Sequence, residues 1–263
     1  MISKSRKIEL NSLAQDIVDH YSWDQKIDPE IILNNNDVTV IYDRYDADFE
    51  GMTIYRNGRF NVHINIINIP KNSMRSRFTL AHEAGHFFIP EHNIALQKSY
   101  HPSKFNANEN NLVEEEANFF ASALLMPEKQ FKEQCYNEPF SLKLITQLSK
   151  YFAVSKLAVL LRFIEVGHFP LMVAFCQDQV LKWLVRSHDF PYQGAFKSKY
   201  GQRLPDTSVV GEYYRLPDAK YTGVERIEAD DWFYINSGMI NKELNEQCFY
   251  SNYGYVISMV WPD

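Results

Sequence analysis

The sequence predicts an α+β protein in which a helix-rich first domain is followed by a β-rich second domain that also contains some helix. Apolar residues recur at helical spacing through most of the first 167 residues. From Phe169 onward, short apolar runs alternate with turns rich in proline, glycine and aspartate. The 263 residues, 45% of them hydrophobic, suffice for two modest cores. We therefore expect one domain over residues 1–168 and a second over residues 169–263.

Local signals predict each element that precedes residue 70. Apolar residues at helical spacing indicate helices, Asp28-Pro29 is a helix start, and Asn57-Gly58 is a strong signal for a hairpin turn. In order, the expected elements are a helix over 8–21, a short helix from Pro29 to the asparagines at 34–36, a strand Val38–Tyr42, and paired strands Met52–Tyr55 and Phe60–Ile66.

The next elements surround the most informative stretch of the chain. Ser73 can cap a helix that runs to about Ile89, where Pro90 should end it. The remaining expected elements are a polar loop over 91–110, a helix over Leu112–Met126, another that starts at Pro127, two helical segments within 141–167, strands Leu171–Phe175 and Val180–Val185 around a turn at 177–179, and a final strand Tyr255–Val260.

The helix after Ser73 contains the pattern His82-Glu83-Ala84-Gly85-His86. With about 100° between successive residues, His82, Glu83 and His86 share one face and apolar residues cover the other. Histidines at i and i+4 can bind one Zn²⁺, and the glutamate between them can act as general base on a metal-bound water. Two incidental histidines on a solvated helix face are the alternative. Gly85 inside the helix indicates close approach of another helix or of backbone, and a tolerated imperfection of the helix is the alternative.

Catalytic zinc usually takes three protein ligands, and the sequence offers two sources for the third. His92 has the spacing of the pattern HExxHxxGxxH, but Ile89 stands where that pattern needs glycine. His92 is therefore expected on a surface loop.

The second source is the helix that contains Val113-Glu114-Glu115-Glu116. Helical geometry places Glu114 on the rim of the buried face, with Asn118 one turn further along the same side, whereas Glu115 should face water. Asn118 could then orient a ligand from outside the coordination shell. Glu116 remains open as a ligand, and compensation of the helix dipole would explain all three glutamates without a metal.

Together, RFTLAHEAGHFFI and EEEANFFASALLMP resemble the ImmA/IrrE family of metallopeptidases, and the similarity covers about residues 8–130. The resemblance implies a zincin-like fold, in which a helix pair holds the metal beside a small antiparallel or mixed sheet. It implies one Zn²⁺, or another divalent metal, bound by His82, His86 and Glu114, with Glu83 as base. In zincins an edge strand near the metal helix receives the substrate, and Phe60–Ile66 is either a candidate for it or a strand with a purely structural role.

Members of that family typically cleave a partner repressor that carries a helix-turn-helix DNA-binding domain. The resemblance therefore implies a cytoplasmic endopeptidase that acts on a repressor or an antitoxin. A metal-bound module that regulates such a partner without cutting it is the alternative, and the intact Glu83 favours the enzyme. The motifs do not reach residues 169–263, whose role in binding a partner or a signal stays open.

Composition limits the other functions. A formal net charge of −6 disfavours non-specific binding to nucleic acid or anionic membranes. Residues 148–167 have the outline of a helix-turn-helix, but the second helix offers only Lys156 and Arg162 as basic residues, so a helical hairpin is expected. Three widely spaced cysteines and the absence of a signal-peptide pattern predict a cytoplasmic protein without disulfides.

Overall fold

The computed structural model divides the chain into two compact units, Met1–Ala158 and Val159–Asp263. It describes residues 2–21, 26–46, 48–67, 69–98, 107–167, 169–194, 196–215, 222–235, 240–251 and 254–263, with only the backbone described for 107–111. The boundary predicted after residue 168 would place the whole helix around residue 160 in the first domain, whereas the second unit begins within that helix.

The first unit is mainly helical, as predicted. Its helices are α1 (Lys4–Tyr21), α2 (Pro29–Asn35), α3 (Met74–Phe88), α4 (Pro90–Gln97), α5 (Ala107–Leu125), α6 (Glu128–Cys135) and α7 (Leu142–Phe152), and α8 (Lys156–Val166) leads into the second unit. Capping explains three of the starts, because the side chains of Asp28, Ser73 and Ser141 accept hydrogen bonds from the first turns of α2, α3 and α7.

The loop predicted over residues 91–110 is in part wrong. Ile89 leaves the helical conformation and ends α3, and Pro90 then occupies the first turn of α4. Proline suits a helix start, because its missing N–H would have no partner there. Residues 99–106 of the predicted loop lie outside the described residues, and α5 begins earlier than expected, at Ala107.

A small mixed sheet accompanies the helices of the first unit. Its strands β1 (Thr39–Asp43), β2 (Gly51–Arg56) and β3 (Arg59–Asn65) lie in the order β1-β3-β2. The hairpin turn between β2 and β3 is as predicted, with positive φ at both Asn57 and Gly58. β3 runs parallel to β1 and antiparallel to β2. The suggestion that Phe60–Ile66 is the edge strand is wrong, because β3 is central and β2 lies at the edge.

The second unit is built on a five-stranded antiparallel sheet in the order β5-β4-β8-β7-β6. Its elements are β4 (Met172–Gln177), β5 (Val180–Arg186), the short helix α9 (Val209–Tyr213), β6 (Glu225–Glu228), β7 (Glu243–Ser251) and β8 (Tyr255–Trp261). One face of the sheet packs on Trp232, Phe233 and Val210 in a continuous core. The predicted α+β class, helical first and β-rich second, is thus confirmed.

Two predictions about the chain as a whole can be compared with this structure. All three cysteines, Cys135, Cys176 and Cys248, carry free thiols, as expected. Over the described ranges, no single helix has the length and apolar character to cross a membrane, and by those two criteria only the bent pair α7–α8 could.

Candidate metal centre

The candidate centre lies in a cleft of the first unit, with a volume of about 450 Å³. Helix α3 forms its floor, because the buried apolar face of α3 leaves His82, Glu83 and His86 directed towards the cleft. The start of β2 and the polar side of α5 form two of its walls. The lining residues are Phe49, Glu50, Gly51, Met52, Thr53, Phe78, Thr79, His82, Glu83, His86, Leu96, Glu114 and Asn118.

Helices α3 and α5 approach each other closely enough to bring their polar residues together. A Cβ atom added at Gly85 would lie 3.2 Å from Ala117 Cα and 3.1 Å from Phe120 Cδ1. These distances are shorter than ordinary van der Waals contact, so a side chain here would push the helices apart. The prediction that the glycine within α3 marks close approach of another helix is confirmed.

The structure brings together the three predicted metal ligands. His82 Nε2 lies 3.1 Å from His86 Nε2. Glu114 places Oε2 3.1 Å from His82 Nε2 and Oε1 3.6 Å from His86 Nε2. One ligand atom from each residue falls within 4.8 Å of the others, so the group could hold a metal ion. Two imidazoles and a carboxylate are the protein ligands of a well-known class of catalytic zinc sites.

Asn118 supports this interpretation from one turn further along α5. Its Oδ1 lies 2.9 Å from His82 Nδ1. An amide oxygen only accepts hydrogen bonds, so Nδ1 of His82 must be the donor and carries the proton. The neutral ring then presents the lone pair of Nε2 to the point where His86 and Glu114 converge. The donor set therefore fits a divalent metal, and Asn118 has the orienting position predicted for it.

The electrostatics of the centre also suit a cation. Burial, and then the charge of His82, lower the pKa of His86 to about 3, so this ring is neutral near pH 7. Burial opposes protonation of His82, but the hydrogen bond to Glu114 and the charges of Glu83 and Glu114 together outweigh it and raise the pKa of that ring. A proton on His82 Nε2, which a bound metal would replace, can be donated to Glu114, and this hydrogen bond lowers the pKa of Glu114. Glu114 is thus ionised and draws positive charge to the point where the ligands meet.

Glu83 is separate from the ligand group and is held on the wall formed by β2. Only 5% of Glu83 is exposed, and its Oε2 accepts a hydrogen bond of 2.7 Å from the Thr53 hydroxyl. Burial raises the pKa of Glu83, while His82 and Thr53 favour the charged carboxylate. A buried carboxyl with a raised pKa next to a metal site is the arrangement expected of a general base.

The other two ligand candidates lie beside the centre, in a network of their own. His92 is buried in α4, so the prediction that it is a histidine on a surface loop is wrong. Its Nε2 lies 3.2 Å from Glu116 Oε2, and Glu116 also accepts hydrogen bonds of 3.0 and 2.8 Å from Arg6. Neither residue belongs to the group around His86, although the rings of His86 and His92 pack with centroids 5.2 Å apart.

Sequence reasoning missed two residues of the cleft, Gly51 and Thr53. Both precede Glu83 by about thirty positions in the sequence, and both lie against its side chain. Thr53 carries a weak signal in the sequence, since a strand position that points into the core seldom holds a hydroxyl without a partner. The signal does not say which partner the hydroxyl has.

Comparisons with known proteins bear on the family and the fold of the chain. Residues 43–163 match the model of the Peptidase_M78 family, described as the IrrE N-terminal-like domain. This match confirms the resemblance to the ImmA/IrrE family that the two motifs indicate. No curated protein matches the chain.

Among solved structures, the chain is similar to a Mycobacterium tuberculosis transcriptional regulator, with a TM-score of 0.59 and 11% sequence identity. The similarity covers 97% of this chain and 76% of that one. At this identity it shows a shared fold alone.

Proposed function

We propose that this chain, whose residues 43–163 match the IrrE N-terminal-like domain of the Peptidase_M78 family, is a zinc-dependent endopeptidase that cleaves a partner protein. One observation carries the proposal. His82, His86 and Glu114 converge on one point of an open cleft, and the buried carboxylate of Glu83 lines the same cleft.

The residues divide the chemistry between them. His82, His86 and Glu114 would hold Zn²⁺, which would supply a Lewis acid able to polarise a carbonyl and to make water more acidic. Glu83 takes the proton from the attacking water and passes it to the nitrogen of the leaving amine. Asn118 keeps the His82 ring in the tautomer that leaves Nε2 free. Phe78 and Leu96 add apolar side chains to the lining of the cleft beside these groups.

An extended segment of the substrate suits this cleft. Among the described strands, β2 pairs with β3 along one side, and the beginning of β2 lines the cleft beside α3. An edge strand can bind a peptide by adding it as a further strand, and main-chain hydrogen bonds then fix the peptide in place. A peptide bound in this way would place its scissile bond next to the ligand group, and Met52 and Phe49 would lie near the side chains of the peptide.

The proposed substrate rests on the family resemblance. We propose a helix-turn-helix repressor or an antitoxin as the partner, met in a reducing, cytoplasmic compartment where the three free thiols persist. An unfolded or extended linker in such a partner would present the strand that β2 requires.

The test uses the full chain loaded with zinc and a peptide library prepared from a bacterial proteome. We expect about one zinc per chain by elemental analysis, and cleavage products by mass spectrometry. Glu83→Gln should keep the zinc and lose cleavage by at least about 1,000-fold, because the base is removed and the ligands are not. If Glu83→Gln still cleaves the same peptides, the mechanism is wrong. If neither the wild-type protein nor Glu83→Gln cleaves any peptide while both hold zinc, a non-proteolytic interaction module becomes the better-supported function.

A further inference from the structure

The carboxylate of Glu83 is held by a strand that lies outside the metal-binding motif. Thr53 of β2 is 4% exposed, and its hydroxyl lies 2.7 Å from Glu83 Oε2 and 3.1 Å from the backbone oxygen of Glu83. The hydroxyl has one proton, and the shorter bond, to a charged acceptor, is the stronger of the two. β2 therefore determines the direction of one carboxylate oxygen.

Gly51, two residues earlier on the same strand, faces the other oxygen. A Cβ atom added at Gly51 would lie 2.6 Å from Glu83 Oε1, 2.8 Å from Glu83 Cγ and 2.6 Å from Thr79 Cγ2. No side chain fits at such distances unless both Glu83 and Thr79 move. The absence of a Cβ at residue 51 and the hydroxyl at residue 53 thus define the space that the carboxylate occupies.

We propose that Gly51 and Thr53 are positioning residues for the general base, and that they select the one rotamer of Glu83 that serves the reaction. This inference rests on the proposed function. A glutamate side chain has three rotatable bonds, and holding it in one conformation before the substrate binds removes an entropic cost from the reaction. Valine is the common β-branched residue at a buried strand position, so a buried threonine here is explained by its hydroxyl.

The variant Thr53→Val tests the inference, since it keeps the shape of the side chain and removes the hydrogen bond. We expect kcat for a peptide cleaved by the wild-type protein to fall by about 10- to 100-fold, the equivalent of one hydrogen bond to a charged group. KM and the zinc affinity should not change. Thr53→Ser, which restores the hydroxyl, should recover most of the lost kcat.

A second measurement does not depend on any peptide substrate. Acetohydroxamic acid binds catalytic zinc through two oxygens and also hydrogen-bonds to a correctly placed general base. Calorimetry on the zinc-loaded full chain should show about tenfold weaker binding in Thr53→Val. Glu83→Gln should weaken binding too, and adding Thr53→Val to Glu83→Gln should cause no further loss, because both changes act through one carboxylate.

The outcomes separate this inference from the proposed function. If no peptide is cleaved by the wild-type protein, the proposed function fails, but the hydroxamate measurement still decides the role of Thr53. Equal hydroxamate affinity in Thr53→Val and wild-type protein overturns the inference. So does a loss of zinc affinity in Thr53→Val, since a positioning residue for Glu83 would leave the ligand group intact. If Gly51→Ala folds, it should lose kcat and hydroxamate affinity as Thr53→Val does. If Gly51→Ala does not fold, the measurements on Thr53→Val alone test the proposal.

Discussion

At the scale of single residues, adjacent glutamates of α5 have different surroundings, and their substitution should give different results. Glu114 lies within reach of both His82 and His86, whereas Glu115 is outside that group. We expect Glu114→Ala to lower the zinc affinity by more than about 100-fold, which exceeds the usual effect of a residue outside the coordination shell. Glu115→Ala is the matched control and should bind zinc like the wild-type protein. Competition with a chromophoric chelator measures both, and the reverse order of affinities would refute the proposed ligand set.

The same residues illustrate what a sequence reveals about a site. Glu114 and Asn118 could be predicted together because both belong to one helix, where a fixed rotation per residue places them on the same side. Thr53 could not be predicted in this way, because its contact with Glu83 joins two elements whose relative placement no periodicity encodes. His92 was misplaced for a local reason, since Pro90 suggested a loop and instead begins the helix that buries this ring.

At the scale of elements, the spacing between α3 and α5 determines whether the three ligands can meet. Alanine at residue 85 would favour the helix by about 1 kcal/mol, but overpacking against Ala117 and Phe120 costs about 1–3 kcal/mol. The neighbouring atoms include backbone, which cannot rotate away, so the cost should prevail.

We therefore expect Gly85→Ala to destabilise the protein by about 1 kcal/mol and to weaken zinc binding as the helices separate. Urea denaturation and chelator competition measure the two effects. Gly223→Ala is a suitable control, because nothing lies within 4 Å of the added Cβ there. A Gly85→Ala variant as stable as the wild-type protein, with unchanged zinc affinity, would show that the helix spacing tolerates a methyl group.

Among the strands, β7 was not predicted, and a buried carboxyl group explains why. Its inward residues Leu244, Glu246 and Cys248 alternate as a half-buried strand should, but the glutamate breaks the apolar pattern. In the structure Glu246 is fully buried and accepts hydrogen bonds from the N–H groups of Val209 and Val210, the Trp232 indole and the Ser258 hydroxyl. These donors offset the cost of burial, and they come from elements too distant in sequence to be foreseen.

At the scale of the whole molecule, every residue of the candidate centre belongs to the unit Met1–Ala158. A ligand that binds the folded state stabilises the structure that contains its site. Zinc should therefore protect the first unit against unfolding, and the sheet of the second unit should depend on its own core of Trp232, Phe233 and their neighbours. The division of the chain thus predicts that zinc stabilises the first unit and has little effect on the second.

Removal of zinc tests this division. With free zinc about 100-fold above its Kd, binding contributes about 2.7 kcal/mol, which raises Tm by roughly 5–10 °C for a unit of this size. Chelation should reverse the shift and should accelerate hydrogen exchange in α3 and α5, with little change in β4, β7 and β8. The Tm of Glu114→Ala should neither rise when zinc is added nor fall when zinc is chelated. If chelation instead accelerated exchange mainly in the second unit, the metal would bind elsewhere, and the centre formed by His82, His86 and Glu114 would have to be abandoned.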